Sequence, residues 1–283
     1  KKYLQAKETS LPNQPNRPRT TIDLPSKLNE TTSHMEPFTF ESSKGSIHIR
    51  PIQPEDIPRL IEMNKEAFPL MAEENVVWSE RQLKNHLRLF PEGQLLAEVD
   101  GKIVGGIASL IIESDRDPYR THTYAGITDG GYFHNHNPSG DTLYGADVYV
   151  DPDFQGQGIG AALYEARRRL CKKRNLRRIL AGGRLAKYDA LAEEMTPESY
   201  VQKVKDGELK DPVLSFQLRE GFTVRGILPN YITDPMSRNY ASLIEWLNPD
   251  YTPAEPSSKV RIACVQYQVR KIATFEDFAN QVE

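Results

Sequence analysis

The chain has 283 residues, of which 38% are hydrophobic and 27% are charged, and its formal net charge at pH 7 is −3. This length is enough for one large domain with a full hydrophobic core, or for one domain and part of another. The near-neutral charge balance gives no reason to expect a nucleic-acid partner. Two cysteines are too few for a disulfide framework, so we expect a protein of the reducing cytoplasm.

The first 40 residues have the composition of a polar tail. Five prolines are spread among polar residues, and apolar residues do not recur at a helix or strand period. We therefore expect residues 1–40 to be mobile and a folded domain to occupy residues 41–250. The longest apolar run, residues 103–112, is too short to span a bilayer and is predicted as a buried strand, so we expect no membrane partner.

The next segments alternate between strand and helix patterns. Residues 46–51 are predicted as a strand, and Pro54 begins a helix because proline is favoured in a first turn. Residues 94–99 and 103–112 are predicted as a hairpin, hinged at the turn-forming pair Asp100-Gly101.

The most informative segment runs from Val148 to Ala161 and reads Val-Tyr-Val-Asp-Pro-Asp-Phe-Gln-Gly-Gln-Gly-Ile-Gly-Ala. It predicts a strand, a short turn, a glycine-rich loop and the start of a helix. A helix N-terminus leaves its first N–H groups unpaired and carries partial positive charge, so the segment predicts a diphosphate cradle built from main chain. The glycine spacing also matches a dinucleotide fingerprint. That interpretation is disfavoured because the strand does not lead directly into the first glycine, and no ribose-binding carboxylate follows about 20 residues later.

A basic helix is predicted to follow the loop. Four apolar residues recur at helical spacing and are predicted to form its buried stripe: Ile159, Leu163, Ala166 and Leu170. The arginines and lysines between residues 167 and 178 are therefore expected to lie mostly in water. Further on, Thr196-Pro197-Glu198 predicts the N-cap and first turn of another helix, inside a long connection over residues 182–210.

The stretch Val150 to Gly160 resembles the acetyl-CoA loop of the GNAT acetyltransferase superfamily, whose pattern is Gln/Arg-Gly-x-Gly-Ile/Val-Gly. The order of the surrounding elements also fits, and Glu220-Gly221-Phe222 is similar to the Gly-Phe that closes the family's fourth helix. The resemblance implies the GNAT fold of the α/β (α+β) class: a mixed, mostly antiparallel sheet of six to seven strands, flanked by helices and splayed at the cofactor strand. It also implies that acetyl-CoA is the cosubstrate, with no metal, and that a primary amine of a small molecule or peptide takes the acetyl group by direct attack.

By the same resemblance, the cofactor strand, the glycine loop and one aromatic residue of the fourth helix hold the coenzyme. The thioester oxygen is expected to meet a main-chain N–H around residues 148–150. The residues expected to bind the coenzyme are Val148, Tyr149, Val150, Gln155, Gly156, Gln157, Gly158, Ile159, Gly160 and Phe216.

Asp147 is the candidate general base. It lies five residues before Pro152, where many members of the superfamily place a carboxylate that deprotonates the amine, often through water. Strand alternation is expected to put Asp147 and Tyr149 on one face and Ala146, Val148 and Val150 on the other. The alternative interpretation is an acid that is paired structurally at the edge of the strand.

The group that protonates the departing thiolate has several candidates. The superfamily usually has a tyrosine in the fourth helix, four residues before the Gly-Phe glycine, and here that position is Gln217. A glutamine amide cannot act as a general acid at neutral pH. Tyr188 or Tyr200 of the long connection, or Tyr231 before the last strand, is the candidate substitute. Alternatively, the thiolate leaves unprotonated. We take Tyr200 and Tyr231 forward as catalytic candidates.

Two polar segments could face the substrate. Glu73, Glu74 and Asn75 lie where members of the superfamily often meet the amine, and their charge would favour a cationic substrate; the alternative is a solvated turn. His122, the histidines at 134 and 136 and nearby acids raise the question of a metal. We prefer a polar loop beside the substrate, because a metal site needs three or four ligands with a supporting second shell.

The end of the chain suggests a second domain. Residues 251–258 are a proline-rich linker, and residues 259–283 resemble the opening strand and helix of a carbon–nitrogen hydrolase (nitrilase) domain, as in bacterial fusion proteins. The alternative is an extra strand of the first sheet. A fused or associated hydrolase and a homodimer are therefore the protein partners to consider. The rival to an acetyltransferase is an acyl-CoA-sensing domain that regulates such a hydrolase without turnover.

Overall fold

The computed structural model describes residues 35–73, 77–113 and 117–253. Its strands have the bounds β1 Phe38–Ser42, β2 Gly45–Pro51, β3 Gln94–Val99, β4 Lys102–Ile112, β5 Thr142–Val150, β6 Arg178–Arg184, β7 Thr223–Leu228 and β8 Ala241–Leu247. Its α-helices are α1 Ile57–Ala67, α2 Pro69–Glu73, α3 Glu80–Leu89, α4 Tyr124–Ile127, α5 Ile159–Lys173, α6 Pro197–Lys205 and α7 Leu214–Arg219.

The strands form one open sheet in the order β1-β2-β3-β4-β5-β6-β8-β7. Only β5 and β6 pair in parallel, and the other neighbours are antiparallel. The prediction of a mixed, mostly antiparallel sheet is therefore confirmed. The described sheet has eight strands rather than six to seven, because β1 folds back on β2 as an added hairpin. This first strand begins at Phe38, inside the tail predicted to extend to residue 40.

Local signals that can be read from the sequence are found where they were predicted. The β3–β4 hairpin turns at Asp100 and Gly101, whose φ angles of 50° and 74° are the positive values that a tight type I′ turn requires. Thr196 caps α6 by accepting a hydrogen bond from the Ser199 amide. The helix that precedes the Gly-Phe pair, α7, is followed by Gly221 at a φ of 83°.

Two hydrophobic layers cover the two faces of the sheet. The larger one packs α5, α6 and α7 on one face, with Leu163 and Leu170 of the predicted stripe fully buried. The other packs α1 and α3 on the opposite face, around Leu60, Trp78 and Tyr144. No helix within the described ranges is long and apolar enough to cross a membrane. Residues 259–283, with the predicted hydrolase-like start, lie outside the described residues, as does the linker beyond residue 253.

Candidate active site

The middle of β5 carries one extra residue relative to β4. Ala108 pairs with Asp147, whereas the next residue, Ser109, pairs with Gly145, so Ala146 has no partner of its own. This is the geometry of a β-bulge, which re-aims the side chains beside it. Ala146 packs in the layer that contains Tyr149, and the prediction that it faces away from Tyr149 was wrong because simple alternation fails at the extra residue.

The sheet opens directly after this bulge. β5 and β6 pair only from Thr142 with Arg178 to Gly145 with Ala181. Beyond that point β5 continues along β4 and β6 along β8, so the two strands separate. A cavity of about 780 Å³ occupies the gap. Its wall includes the second half of β5, the glycine loop, the start of α5, the end of β6 and α7.

The glycine loop lines this cavity. Gly156 and Gly158 have φ angles of 71° and 90°, and Gly158 is the N-cap of α5 with no side chain capping the helix. Among the hydrogen bonds of the described residues, none has the amide of residues 156–161 as donor. The Phe216 ring packs closely on Gly160 at the start of α5: a Cβ added at Gly160 would lie 3.0 Å from the ring. The loop is therefore a cradle of free N–H groups at a helix N-terminus.

Asp147 lies at the bulge, and its carboxylate is held by three donors. Its Oδ2 accepts hydrogen bonds from Trp78 Nε1 at 2.6 Å and from Asn64 Nδ2 at 3.1 Å. Its Oδ1 accepts one from the Val148 amide at 2.8 Å. Burial raises the pKa of Asp147 above its ordinary value, while the three hydrogen bonds and the nearby charge of Arg167 act in the opposite direction.

Trp78 is fixed by the start of α3. Ser79 and Gln82 form a reciprocal capping box at the helix N-terminus, which sets the direction of the preceding residue. The Trp78 ring meets the edge of His86 at a centroid distance of 4.8 Å, and His86 bonds the Gly131 carbonyl at 2.7 Å. These contacts fix the indole N–H in its direction toward Asp147.

Arg167 is a buried cation that was wrongly grouped with the solvated charges of the basic helix. It is only 1% exposed and reaches under the bulge, where its Nη2 donates to the Asp147 carbonyl at 2.5 Å and to the Ala108 carbonyl at 3.2 Å. Its Nε donates to Ser109 Oγ at 3.1 Å. Arg167 therefore donates to one carbonyl on each of the two strands at the bulge. A helical spacing of four from Leu163 to Arg167 is the sequence signal that could have placed it on the buried face.

Comparison with known proteins decides the family. The sequence model of the Acetyltransferase (GNAT) family matches residues 57–192. YkwB of Bacillus subtilis (strain 168), named an uncharacterized N-acetyltransferase, is 40% identical over 209 residues, which cover 74% of this chain and 92% of that protein. The chain belongs to the GNAT acetyltransferase family.

Two further comparisons concern the length of a relative and the fold. YhcX of Bacillus subtilis (strain 168), named a probable hydrolase, is 46% identical over 242 residues, which cover 83% of this chain but 46% of that protein, so the chain spans about half the length of this relative. A solved structure, the GphF GNAT-like decarboxylase in complex with isobutyryl-CoA, has a TM-score of 0.59 and 21% identity, covering 70% of this chain and 98% of that one. This structural likeness bears on the fold alone.

Most of the residues expected to bind the coenzyme line the GNAT cavity. The lining includes Val148, Tyr149, Val150, Gln155, Gly156, Gly158, Ile159, Gly160 and Phe216. Gln157 is the exception, since it is not part of the lining and its Nε2 donates to the Asp153 carbonyl at 3.3 Å.

The tyrosines divide clearly by position. Tyr231 lines the cavity and packs on Gly182 of β6, where an added Cβ would overlap its ring and hydroxyl. Tyr200 does not: its hydroxyl donates to Asp211 at 2.9 Å, under the start of α7. The expectation that Tyr200 meets the thiolate is therefore corrected, because its proton is committed to a buried carboxylate outside the cavity lining. Tyr188 is likewise outside it, donating to the Met195 carbonyl at 2.9 Å.

Tyr164 is a cavity residue that the sequence analysis did not consider. It stands on α5, one turn after Gly160, and its Oη accepts a hydrogen bond from Gln217 Nε2 at 3.3 Å. Gln217 itself lines the cavity, and its Oε1 is buried with no hydrogen-bond partner. The Tyr164 hydroxyl of α5 thus lies beside Gln217 of α7, the position where members of the family usually have a tyrosine.

The predicted substrate segment is only partly described. Glu73 is exposed at the end of α2 and is not part of the cavity lining, while Glu74 and Asn75 lie outside the described residues. The lining contributed by residues 64–78, 124 and 232 is instead mostly apolar and aromatic. Besides Asn64 it comprises Ala67, Phe68, Met71, Val77, Trp78, Tyr124 and Ile232, and Arg184 lines the cavity from β6.

The three histidines that raised the question of a metal have separate partners. His122 Nε2 bonds the Tyr144 hydroxyl at 2.9 Å, and His134 Nδ1 bonds Asp129 at 2.9 Å. His136 Nδ1 accepts a hydrogen bond from the Ile111 amide at 3.0 Å. Within the described residues, no three His, Cys, Asp or Glu side chains are grouped as a metal site.

Proposed function

We propose that this GNAT domain transfers an acetyl group from acetyl-CoA to the primary amine of a small molecule or peptide by direct attack. One observation carries the proposal: a single cavity joins the free amides of the glycine loop to the Asp147 carboxylate. The first feature suits the diphosphate of the coenzyme, and the second suits the ammonium group of an amine.

The strand geometry indicates how the thioester would be held. The Asp151 amide donates to the Val104 carbonyl of β4, so alternation directs the Val150 and Val148 amides toward the gap beside β6. The Val148 amide already donates to Asp147. The Val150 amide is therefore the main-chain donor that we assign to the coenzyme's acyl arm, with the diphosphate at residues 156–161.

Asp147 is assigned as the group that holds the ammonium and takes its first proton. An alkylamine has a pKa near 10.4, so at neutral pH it must lose a proton before it can attack the thioester. Three donors already occupy the carboxylate, and an ionised carboxylate accepts about four hydrogen bonds, so Asp147 can take one more. Tyr164 is assigned as the proton donor to the thiolate, because Gln217 donates to its oxygen and leaves the phenol proton free.

The wall composition supports a substrate class. Among the lining residues, the carboxylates are those of Asp147 and Glu220, and Glu220 pairs with Arg168 at 3.2 Å. Of the cations in the lining, Arg184 lies over the Phe68 ring and pairs with Asp234 at 3.4 Å. The negative charge of Asp147 beside the Trp78 indole therefore favours an amine with one cationic nitrogen and an apolar or aromatic substituent.

Thiol release from acetyl-CoA in the presence of a panel of amines tests the proposal. Asp147→Asn keeps the size of the side chain and removes its charge, so we expect kcat/KM at pH 7 to fall by about 10²-fold or more with coenzyme binding unchanged. Asp189→Asn is the matched control, because Asp189 is exposed and pairs with Arg238 outside the cavity. Equal activity in the Asp147→Asn protein and the wild type would refute the role of the carboxylate.

A second function is supported by Gln217, the amide at the family's tyrosine position, and by the longer relative named a probable hydrolase. It is an acyl-CoA-binding domain that regulates a fused carbon–nitrogen hydrolase. Coenzyme binding measured by calorimetry, with no thiol released above background for any amine, would favour this function over transfer.

A further inference from the structure

A second, smaller pocket lies beside the active-site cavity. It has a volume of about 220 Å³, and its lining is largely polar: Glu113, Asp117, Arg120, His122, Asn135, Asn137, Thr142 and Tyr144 line it together with apolar residues. Tyr144 and His122 belong to this outer pocket and are not part of the lining of the larger cavity.

A chain of three side chains connects the two pockets. Tyr231 lines the active-site cavity, and its Oη is 2.9 Å from Tyr144 Oη. Tyr144 Oη is in turn 2.9 Å from His122 Nε2. Both tyrosines are buried, so the sequence Tyr231–Tyr144–His122 is an unbroken hydrogen-bonded path between the cavity and the outer pocket.

His122, at the outer end of this hydrogen-bonded path, determines the direction of its hydrogen bonds. His122 Nδ1 lies 3.0 Å from the Arg120 carbonyl, and a carbonyl oxygen can only accept. In the neutral ring the proton is therefore on Nδ1, and Nε2 carries a lone pair. Nε2 then accepts from Tyr144, and Tyr144 accepts from Tyr231. The Gly182 amide donates to Tyr231 Oη, so Tyr231, which lines the cavity, keeps one acceptor site for a further donor. In this state the chain is ready to take up a proton from the cavity.

We propose that Tyr231, Tyr144 and His122 form a relay that carries a proton from the substrate nitrogen out of the active-site cavity. The inference rests on the proposed acyl transfer, and it makes Tyr231 a proton acceptor rather than the acid that the sequence suggested. One shift moves three protons: the substrate nitrogen gives one to Tyr231 Oη, Tyr231 gives its own to Tyr144, and Tyr144 gives its own to His122 Nε2. His122 becomes an imidazolium and releases a proton to water in the outer pocket.

The reaction needs such an exit. An ammonium substrate loses two protons when it becomes an amide: Asp147 takes the first, and the relay takes the second as the nitrogen–carbon bond forms. The carbon–sulfur bond breaks, and its electron pair leaves on the thiolate, which takes a proton from Tyr164. The proton held by Asp147 restores Tyr164 through cavity water. Ammonium and thioester thus give amide, thiol and one exported proton.

The pKa values of the three relay residues suit proton transfer. Burial raises the pKa of Tyr144 and of Tyr231, so both hydroxyls stay protonated and pass protons without ionising. Burial also lowers the pKa of His122, which keeps the ring neutral at pH 7 and able to accept. The charged and titratable groups that face His122 are Arg120, Glu113 and Asp117 of the outer pocket and the two tyrosines of the relay.

Two substitutions break the relay outside the active-site cavity. Tyr144→Phe removes the middle hydroxyl, and His122→Gln keeps a polar side chain but removes the titrating ring. Tyr188→Phe is the matched control, since it removes one tyrosine hydroxyl that is bonded only to the Met195 carbonyl. Acetyl transfer, its pH dependence and its solvent deuterium isotope effect are measured for each protein, with coenzyme affinity and melting temperature as checks.

We expect Tyr144→Phe and His122→Gln to lower kcat at least tenfold with coenzyme affinity retained, and Tyr188→Phe to leave kcat near the wild-type value. In the wild type, kcat should fall in one step as His122 protonates, below its ordinary pKa of 6.5, and His122→Gln should remove this step while leaving the separate fall caused by protonation of Asp147. A multi-proton isotope effect should appear in the wild type and be lost in Tyr144→Phe.

The relay is refuted if both variants keep the wild-type kcat, pH profile and isotope effect. If one variant fails to fold, the other variant and the wild-type pH profile still test the relay. Failure of the proposed function looks different, because the wild type itself would then release no thiol with any amine.

Discussion

At the scale of single residues, the Asp147 carboxylate is held by side chains from distant parts of the chain. Trp78 and Asn64 reach its carboxylate from 69 and 83 residues away, and Arg167 supports its carbonyl from the next helix. These donors come together only through the packing of α1, α3 and α5 on the two faces of the sheet. A single sequence carries no signal for contacts between such distant segments.

The Trp78 bond gives the first prediction at this scale. Trp78→Phe removes a 2.6 Å hydrogen bond that lowers the pKa of Asp147 against the effect of burial. The pKa should therefore rise further, and because the base must be ionised, the acid limb of the kcat/KM profile should move to higher pH. The measurement is the pH profile of acetyl transfer, provided that the wild type shows transfer.

The other tryptophan of the chain provides the control. Trp246 lies on β8, outside the cavity lining, so Trp246→Phe should leave the acid limb in place. An unchanged acid limb in Trp78→Phe would mean that the indole does not tune the carboxylate.

The tyrosines show why residue roles were hard to assign from the sequence. The chain has 13 of them, and no local pattern separates Tyr188, Tyr200 and Tyr231 as candidate proton donors to the thiolate. In the structure, Tyr231 lines the cavity, and the Tyr200 hydroxyl donates to Asp211 outside it. Tyr164 of α5, which the sequence analysis did not consider, also lines the cavity and bonds Gln217. The choice depends on which hydroxyls face the gap between β5 and β6, and this is a property of the fold.

At the scale of elements, the strand–loop–helix unit around residues 148–173 could be predicted almost completely. Proline and glycine fix its turns locally, and the apolar stripe fixes the buried face of α5. The bulge in β5 could not be predicted, because an extra residue shows itself only against the partner strand. The same limit explains why Ala146 was assigned to the wrong face.

The loop itself supports a prediction that separates binding from stability. Gly156 and Gly207 both have positive φ, 71° and 79°, and a Cβ on either would meet nothing within 4 Å. An alanine in this conformation costs roughly 1 kcal/mol of backbone strain, so Gly156→Ala and Gly207→Ala should destabilise the protein about equally. Only Gly156→Ala should weaken the binding of acetyl-CoA, because its methyl group occupies the cradle. Equal affinities in calorimetry would place the diphosphate elsewhere.

At the scale of the whole molecule, the fold class and the order of the elements could be predicted, whereas the number of strands could not. The strand β1 is short and polar at alternate positions, and it directly follows a proline-rich segment, so its pattern is weak. Its pairing with β2 becomes visible only in the sheet. The long connection between β6 and α7 is filled by α6, whose Tyr200 and Val204 pack into the larger hydrophobic layer.

One buried and one half-buried histidine, His86 and His136, predict how the stability of the domain depends on pH. Burial lowers the pKa of His86 to about 4 and that of His136 to about 4, from an ordinary value of 6.5. The unfolded chain therefore binds protons first, and the free energy of unfolding should fall as the pH drops from about 6.5 to about 4. The difference for His86 amounts to about 3 kcal/mol at most.

Denaturant melts at several pH values check this prediction. His86→Gln should flatten the fall between pH 6.5 and pH 4, whereas His48→Gln, at an exposed position on β2, should leave it unchanged. A slope that is the same in all three proteins would show that other groups control the acid sensitivity.

The unpaired Ala146 has a consequence for aligning relatives of this protein. Gly145, where a Cβ would meet Arg167, and Asp147, which meets Trp78, face opposite sides of the sheet, as neighbouring residues of a regular strand do. A homologue that lacks the extra residue would therefore keep both side chains on their present faces. A one-residue gap placed after Asp147 would instead reverse the acid relative to the glycine motif, so a gap in this interval belongs at residue 146.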